Sequence, residues 1–304
     1  MKFQVINIGL VISLLINFII SFIFVSLFTN DAASGIGITL FIFICSIGIL
    51  YTPIGDWWYR KIVLNLREPN EIEKKRLIPI YKEVYRRALV ASPNLSKNIK
   101  LFIYDNDDIN AFAIGLKTIA VHRGILINNI YDKEIAAILG HEFAHIANGD
   151  TFCTILAVQS NTIVSVFRTI FSFLMIVAAK IIGFCVALAF ATKQGAKNGF
   201  TIADACVRGI NWLIDKFVLI FVFISVIIAQ YSRRQHELAA DNFTARLGYG
   251  QAMIHFLQRC EEFDSAGNMF SFSHLLYGTH PSMQVRISNL QSNINSNVIA
   301  NIFF

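Results

Sequence analysis

Charge is scarce in this chain, and so are the residues that interrupt regular structure. Only 15% of its 304 residues are charged and only five are proline, whereas a soluble domain carries about a quarter charged residues. The five cysteines, Cys45, Cys153, Cys185, Cys206 and Cys260, form no CxxC pair. That spacing suggests neither a disulfide framework nor a thiolate zinc site. There is no Gly-rich phosphate loop, no Gly-x-Ser-x-Gly elbow and no internal repeat, so nucleotide-driven chemistry and that type of serine hydrolase have no carrier here. The net charge of +6 is accompanied by no nucleic-acid motif, so nucleic acid is not expected as a partner.

Apolar residues fill the space instead, at 55% of the chain. Val5 to Phe28 and Gly35 to Tyr51 are nearly uninterrupted apolar runs joined by Thr29-Asn30-Asp31. Each is long enough, or nearly so, to cross roughly 30 Å of hydrocarbon. Residues 1–56 therefore predict a transmembrane hairpin. A cleaved signal peptide fits less well, because the first run outlasts the usual apolar core of roughly 7–15 residues and a second span follows at once. The bases Arg60, Lys61, Arg67, Lys74, Lys75 and Arg76 come next, which places the N-terminus and the chain after Trp57 on the cytoplasmic side.

Residues 57–150 read as a cytoplasmic part. Glu71 to Val90 has helical spacing, Lys100 to Tyr104 reads as a strand, and Asn110 to Ile114 and Thr118 to His122 read as two more around Gly115. His122 stands alone and is read as a strand histidine without a metal role. Residues 151–231 predict two further spans. Thr151 to Thr192 reads either as one long helix or as two spans, and Trp212 to Gln230 as one more, ending in Arg233-Arg234. Arg168 is read as a marker of the membrane boundary and Lys180 as a snorkelling side chain. Residues 232–304 form the second cytoplasmic part.

The chemistry lies in His141-Glu142-Phe143-Ala144-His145. Ile135, Ile138, Leu139 and Phe143 recur at helical spacing, with Asp132 as N-cap and Asn148-Gly149 as stop. Four residues apart on a helix, His141 and His145 project from one face and can hold one zinc ion. Glu142 is one step round, suited to act as general base. A catalytic zinc takes a third protein ligand. Asn148 and Thr151 stand where the extended His-x-x-Gly-x-x-His pattern needs Gly and His, so that subclass is excluded. Beyond the last span, Gln235-His236-Glu237-Leu238-Ala239-Ala240-Asp241 again has four-residue spacing. Glu237 can be the third ligand, and Asp241 can accept the free ring N–H of a ligating histidine. Taken by itself this stretch also reads as a solvated acidic helix face.

HEFAH, then ELAAD after a span and a basic pair, then Thr279-His280-Pro281 and Arg286, together resemble the HtpX-type membrane zinc metalloproteases, bacterial relatives of the CAAX prenyl endopeptidases within the gluzincins. Asn110-Ala111-Phe112-Ala113-x-Gly115 resembles that family's pattern upstream of the zinc helix. The resemblance implies a mostly α-helical integral membrane protein of the bacterial inner membrane, with a zincin-like α+β cytoplasmic protease domain carrying a small β-sheet. It implies an endopeptidase of membrane-protein quality control and stress response, acting on damaged or misassembled membrane proteins and peptides from the cytoplasmic side. By the same resemblance one Zn2+ per chain is held by His141, His145 and Glu237, with Glu142 as base, Asp241 behind the ligands, and His280 and Arg286 lining the site. Asn110, Ala111, Phe112 and Ala113 would lie beside the substrate. Zinc ligation also predicts topology: His145 and Glu237 share a side only if the chain between them crosses an even number of times, so with one span at Trp212 to Gln230, Thr151 to Thr192 crosses once. That gives four spans and a short outer loop near Lys193 to Arg208. The rival readings are a zinc-binding chaperone or scaffold that does not cleave, and a transporter using Arg168 and Lys180. Oligomeric state is not legible.

Overall fold

The computed structural model describes residues 8–50, 52–190, 193–265 and 281–303. The chain divides into two compact units. The first comprises Leu50–Ile155 and Ala229–Phe304 with the extreme N-terminus, and the second Gly9–Ile49 and Leu156–Ile228.

The second unit is helical. It contains most of α1 (Ile8–Ser26) and α2 (Ala32–Leu50) and the inner parts of α7 (Asp150–Phe190) and α8 (Lys193–Arg246). Among the described residues, two helices are long and apolar enough to cross a membrane, at Ala32–Ile49 and Val158–Val186; Leu10–Ser26 is a shorter apolar helix. α7 is one helix of 41 residues, which at 1.5 Å per residue spans about 60 Å. The reading of Thr151 to Thr192 as two separate helices is thereby set aside. A second expectation changes in its secondary structure: Lys193 to Arg208, expected as a short loop, is the helical first part of α8. The run Trp212 to Gln230 lies within the same helix. Ile20, Phe24 and Val164 form a small apolar core, with Phe167, Phe171, Ile214 and Val218 packed around it. Arg168 donates to Asp215 at 2.5 Å, so its charge is neutralised within the unit.

The first unit holds a three-stranded sheet and the helices that cover it. β1 (Lys100–Tyr104) pairs parallel with β3 (Thr118–His122), and β2 (Ala111–Ile114) pairs antiparallel with β3 on its other side. The register sets Phe102 opposite Ala120 and Ala120 opposite Phe112. Side-chain alternation then divides the sheet into two faces. Leu101, Ile103, Ile119 and Val121 join the main core with Leu77, Val84, Ile135, Leu139 and Phe143. Phe102 and Ala120 form a separate cluster with Leu66, against which Leu64, Phe112 and Ile114 pack. α4 (Glu71–Ala91) opens with a capping box in which Asn70 accepts from Glu73 N–H and Glu73 accepts from Asn70 N–H. Its Tyr81 and Tyr85 rings lie 5.5 Å and 5.1 Å from Phe143 on α6 (Asp132–Asn148). Gly115, in the left-handed region at φ 58°, turns β2 into β3, and Thr151 donates its hydroxyl hydrogen to the Gly115 carbonyl. The hairpin is thus tied to the start of α7. The remaining elements are α3 (Pro53–Trp58), a π-helical turn at Tyr59–Val63, the short α5 (Gly124–Ile127), α9 (Gly250–Ser265) and α10 (Met283–Phe303).

Candidate active site

α6 carries the histidine pair, and both of its ends are fixed by specific contacts. The N-cap is Tyr131, one residue before the expected Asp132. Glu134 explains the shift, since its buried carboxylate accepts from Tyr131 N–H at 2.9 Å and from His255 and Arg259 at 2.7 Å each. Asp132 falls in the first turn and pairs with Arg76. At the other end Gly149 takes φ 82° and its N–H closes on the carbonyls of His145 and Ile146. That left-handed corner, open to glycine without a Cβ penalty, lets α7 begin at once with Asp150 beside His145.

Three ligand atoms converge. The Nε2 atoms of His141 and His145 are 3.1 Å apart. Glu237, from the buried face of α8, brings Oε2 to 3.1 Å from His141 and Oε1 to 3.5 Å from His145. Each ring's other nitrogen faces a carboxylate: His141 Nδ1 lies 3.0 Å from Asp241 and His145 Nδ1 lies 2.9 Å from Asp150. A carboxylate accepts, so these contacts put the ring proton on Nδ1 and turn both Nε2 lone pairs toward each other and toward Glu237. Such an arrangement is repulsive without positive charge at its centre. Tetrahedral zinc ligands at about 2.0–2.1 Å from the ion stand about 3.3 Å from one another. The separation of the two Nε2 atoms, 3.1 Å, and the contacts of the two Glu237 oxygens, 3.1 Å to one ring and 3.5 Å to the other, lie around that value. The donor set fits zinc.

The carboxylates behind the rings are themselves held. Arg286, near the start of α10, donates from Nε and Nη2 to the two oxygens of Asp241 at 2.8 and 2.7 Å, the planar fork that suits a carboxylate. Asp241 is fully buried. Burial acts to raise its carboxyl, but Arg286 and His141 outweigh this and hold it below the usual carboxylate range. Asp150 bridges His145 and His236, the latter at 2.7 Å, and those two rings overcome the effect of burial to lower its carboxyl as well. Burial pulls the His141 and His145 rings down, while the carboxylates around them raise both.

Glu142 is 6% exposed. Burial pushes its carboxyl up against the pull of the two imidazoles, and it accepts from the backbone N–H of Ala113. β2 is an edge strand. His122 N–H donates to the Asn110 carbonyl, so by the alternation of the ladder the main chain of Ala111 and Ala113 faces away from β3. Asn110 precedes the strand, which begins at Ala111 and not at Asn110. His122 is buried, with its ring against Tyr104 and Phe112.

The structure thus brings together His141, Glu142, His145, Glu237, Asp241 and Arg286, with Ala113 beside Glu142. His280 lies outside the described residues. Asp150 was missed from sequence, although its place directly after the helix-stopping glycine was a usable signal. Asp241→Asn and Asp150→Asn should each weaken zinc binding by roughly 10–100-fold, the usual cost of losing an outer partner of a ligand. Competition against a chromogenic chelator measures this, and unchanged affinity would show that the carboxylates do not orient the rings.

Comparison with known proteins agrees with this geometry. The chain matches the family described as Peptidase family M48 over residues 72–294. It is 28% identical over 284 residues to a "Protease HtpX homolog" of Methylacidiphilum infernorum, covering 83% of this chain and 85% of the relative. It is 26% identical over 244 residues to "Protease HtpX" of Stenotrophomonas maltophilia, with 75% of each covered. It is 26% identical over 259 residues to "Protease HtpX" of Thioalkalivibrio sulfidiphilus, with 79% of each covered.

Proposed function

Because this chain belongs to peptidase family M48 and is a zinc metallopeptidase, we propose that it is a multi-pass membrane endopeptidase that cleaves damaged or misassembled membrane proteins on the cytoplasmic side of a bacterial inner membrane. The observation that carries the catalytic part is the inward-facing His141, His145 and Glu237 set with the buried Glu142 beside it. The apolar helices support the membrane part, and the bases from Arg60 onward support the orientation. An intact Glu142 speaks against a scaffold that only binds zinc, and the absence of sequence repeats speaks against a transporter.

His141, His145 and Glu237 would hold the ion. When bound, zinc supplies Lewis-acid polarisation of the scissile carbonyl and lowers the pKa of water toward roughly 7. Glu142 takes the proton from the attacking water and delivers it to the leaving amine. Asp241 and Asp150 keep the rings in the Nδ1–H tautomer, and Arg286 keeps Asp241 ionised. The outward edge of β2, the main chain of Ala111 and the carbonyl of Ala113, offers groups to an extended substrate, which would bind by strand addition. The test is degradation of a purified model membrane protein in proteoliposomes. A chelator should abolish it and added zinc should restore it; chelator-resistant cleavage would remove zinc from the reaction.

Ligation on one side of the membrane requires an even number of crossings between His145 and Glu237. α7 and α8 would each cross once, with the hairpin α1–α2 completing four spans. With the five native cysteines replaced by serine, Lys197→Cys should therefore react with an impermeant maleimide added outside intact cells. Labelling only after the cytoplasmic face is opened would refute that topology.

His280 is proposed to donate to the oxyanion. Three protein ligands already fill a catalytic zinc site, and a fourth would close the position that substrate needs. Pro281 favours an extended conformation at His280, suited to reaching a cleft from a loop. His280→Ala should keep stoichiometric zinc and lose roughly 10²–10³-fold in turnover. Loss of zinc with activity would make it a ligand instead.

A further inference from the structure

After the apolar helix α2 in sequence comes a segment, Pro53 to Arg67, that exposes several large apolar side chains close together. Ile54 is 76% exposed, Trp57 53%, Trp58 49%, Ile62 58% and Val63 47%. Lys61 is exposed among them. In α3 the buried residue is Gly55, and the π-helical turn buries none. Large apolar side chains scattered singly need no explanation, but this is a contiguous group with both of the neighbouring tryptophans. Its composition is that of the membrane–water boundary, where indole rings settle at headgroup level and lysine or arginine stems reach outward.

The same segment is fastened to the sheet from the other side. Arg60 is held by Asp56 at 2.8 Å and lies over the Phe102 ring of β1, 4.6 Å from its centroid. The carbonyl of Arg60 accepts from Leu66 N–H, and Leu66 is buried against Phe102 and Ala120. Arg67 then makes a two-bond antiparallel bridge with Ile103 and is clamped by Glu73 and Asp105. The segment therefore covers the Phe102–Ala120–Phe112 face of the sheet, opposite the face that packs on the zinc helix.

We propose that residues 53–63 form a bilayer-docking surface, in which Ile54, Trp57, Trp58, Ile62 and Val63 lie in the interfacial layer of the membrane and hold the protease sheet there by its Phe102 face. The occupant is the lipid interface because the segment begins a few residues after the apolar stretch Ala32–Ile49 ends, a distance the chain cannot stretch far beyond headgroup depth. The reading rests on the membrane part of the proposed function. Its consequence is that the depth of the sheet is set by lipid contacts on the segment as well as by the covalent link to α2.

The chain has three tryptophans, so Trp212→Phe leaves Trp57 and Trp58 as the only indoles. This full-length variant is reconstituted in phosphatidylcholine vesicles. The expected result is a blue-shifted emission, strong quenching by lipid brominated near the headgroup, weaker quenching by lipid brominated near the chain ends, and several-fold less quenching by aqueous iodide than free tryptophan shows. Strong iodide quenching with no bromolipid effect would overturn the proposal by placing the patch in water. Resistance to both quenchers would overturn it by placing the patch against protein. Ile54→Cys carrying an environment-sensitive label, in a chain whose five native cysteines are replaced by serine, gives a second reading with both tryptophans kept. Co-flotation of the chain with vesicles is measured in the same samples. A chain that floats but shows iodide-accessible indoles loses the docking surface and keeps its membrane location; a chain that does not float loses the membrane reading itself.

Discussion

Glu142→Gln should leave the metal centre loaded and abolish peptide hydrolysis, with a rate loss of at least about a hundredfold, the lower end of what a positioned general base contributes. Glutamine keeps the size and shape of the side chain in a site where Glu142 is 6% exposed, so the loss cannot be put down to a cavity. The three converging ligand atoms belong to His141, His145 and Glu237, so replacing Glu142 removes none of them. What disappears is a carboxylate able to take a proton and return it. Burial prepares it for that exchange by raising its proton affinity; a carboxyl in the usual range would be a poorer base near neutral pH. The measurement is metal content by elemental analysis alongside single-turnover cleavage of a membrane-protein substrate. Parental cleavage by the glutamine variant would end the assignment of Glu142 as base.

Glu237→Ala should remove zinc and activity together, with an affinity loss greater than the roughly 10–100-fold expected for the outer carboxylates. The geometry gives the reason: Glu237 is the one ligand contributed by α8, and its two oxygens address both imidazoles. Removing it leaves two imidazoles with Nε2 atoms 3.1 Å apart and no anionic donor in contact with the ion. The pair of variants is diagnostic when measured side by side, because Glu142→Gln separates rate from metal content and Glu237→Ala does not. Parental zinc affinity in Glu237→Ala would move the third ligand to another residue, with His236 and His280 as the candidates.

Much of this is legible in the sequence, for a common reason. The histidine pair, Glu237 with Asp241, and the strands Lys100–Tyr104 and Thr118–His122 are all periodic within one element, and period survives folding. What was not readable depends on contacts across elements. Asp150 acts because Gly149 turns the chain back, a matter of one backbone angle. The helix cap moved to Tyr131 because Glu134 is claimed from three sides. Lys193 to Arg208 looked like a loop because its charges broke the apolar pattern, although charge does not oppose helix formation. Arg60 and Lys61 counted only as positive charge, and nothing in the sequence placed Arg60 over Phe102.

The chain from His141 to Asp241 to Arg286 has a consequence in time. Its members are separated by 100 residues and then by 45, and a ribosome delivers them in that order. While α8 is still being made, the imidazoles exist without their acidic ligand. After Asp241 has emerged but before Arg286, a bare carboxylate sits at the back of the pocket with no fork to fix it. Closing loops of this size has an entropic cost that only the finished assembly repays. The hydrolytic centre is therefore complete only once Arg286 has been made, and a nascent chain that stops short of it carries the motif without the contact that fixes Asp241.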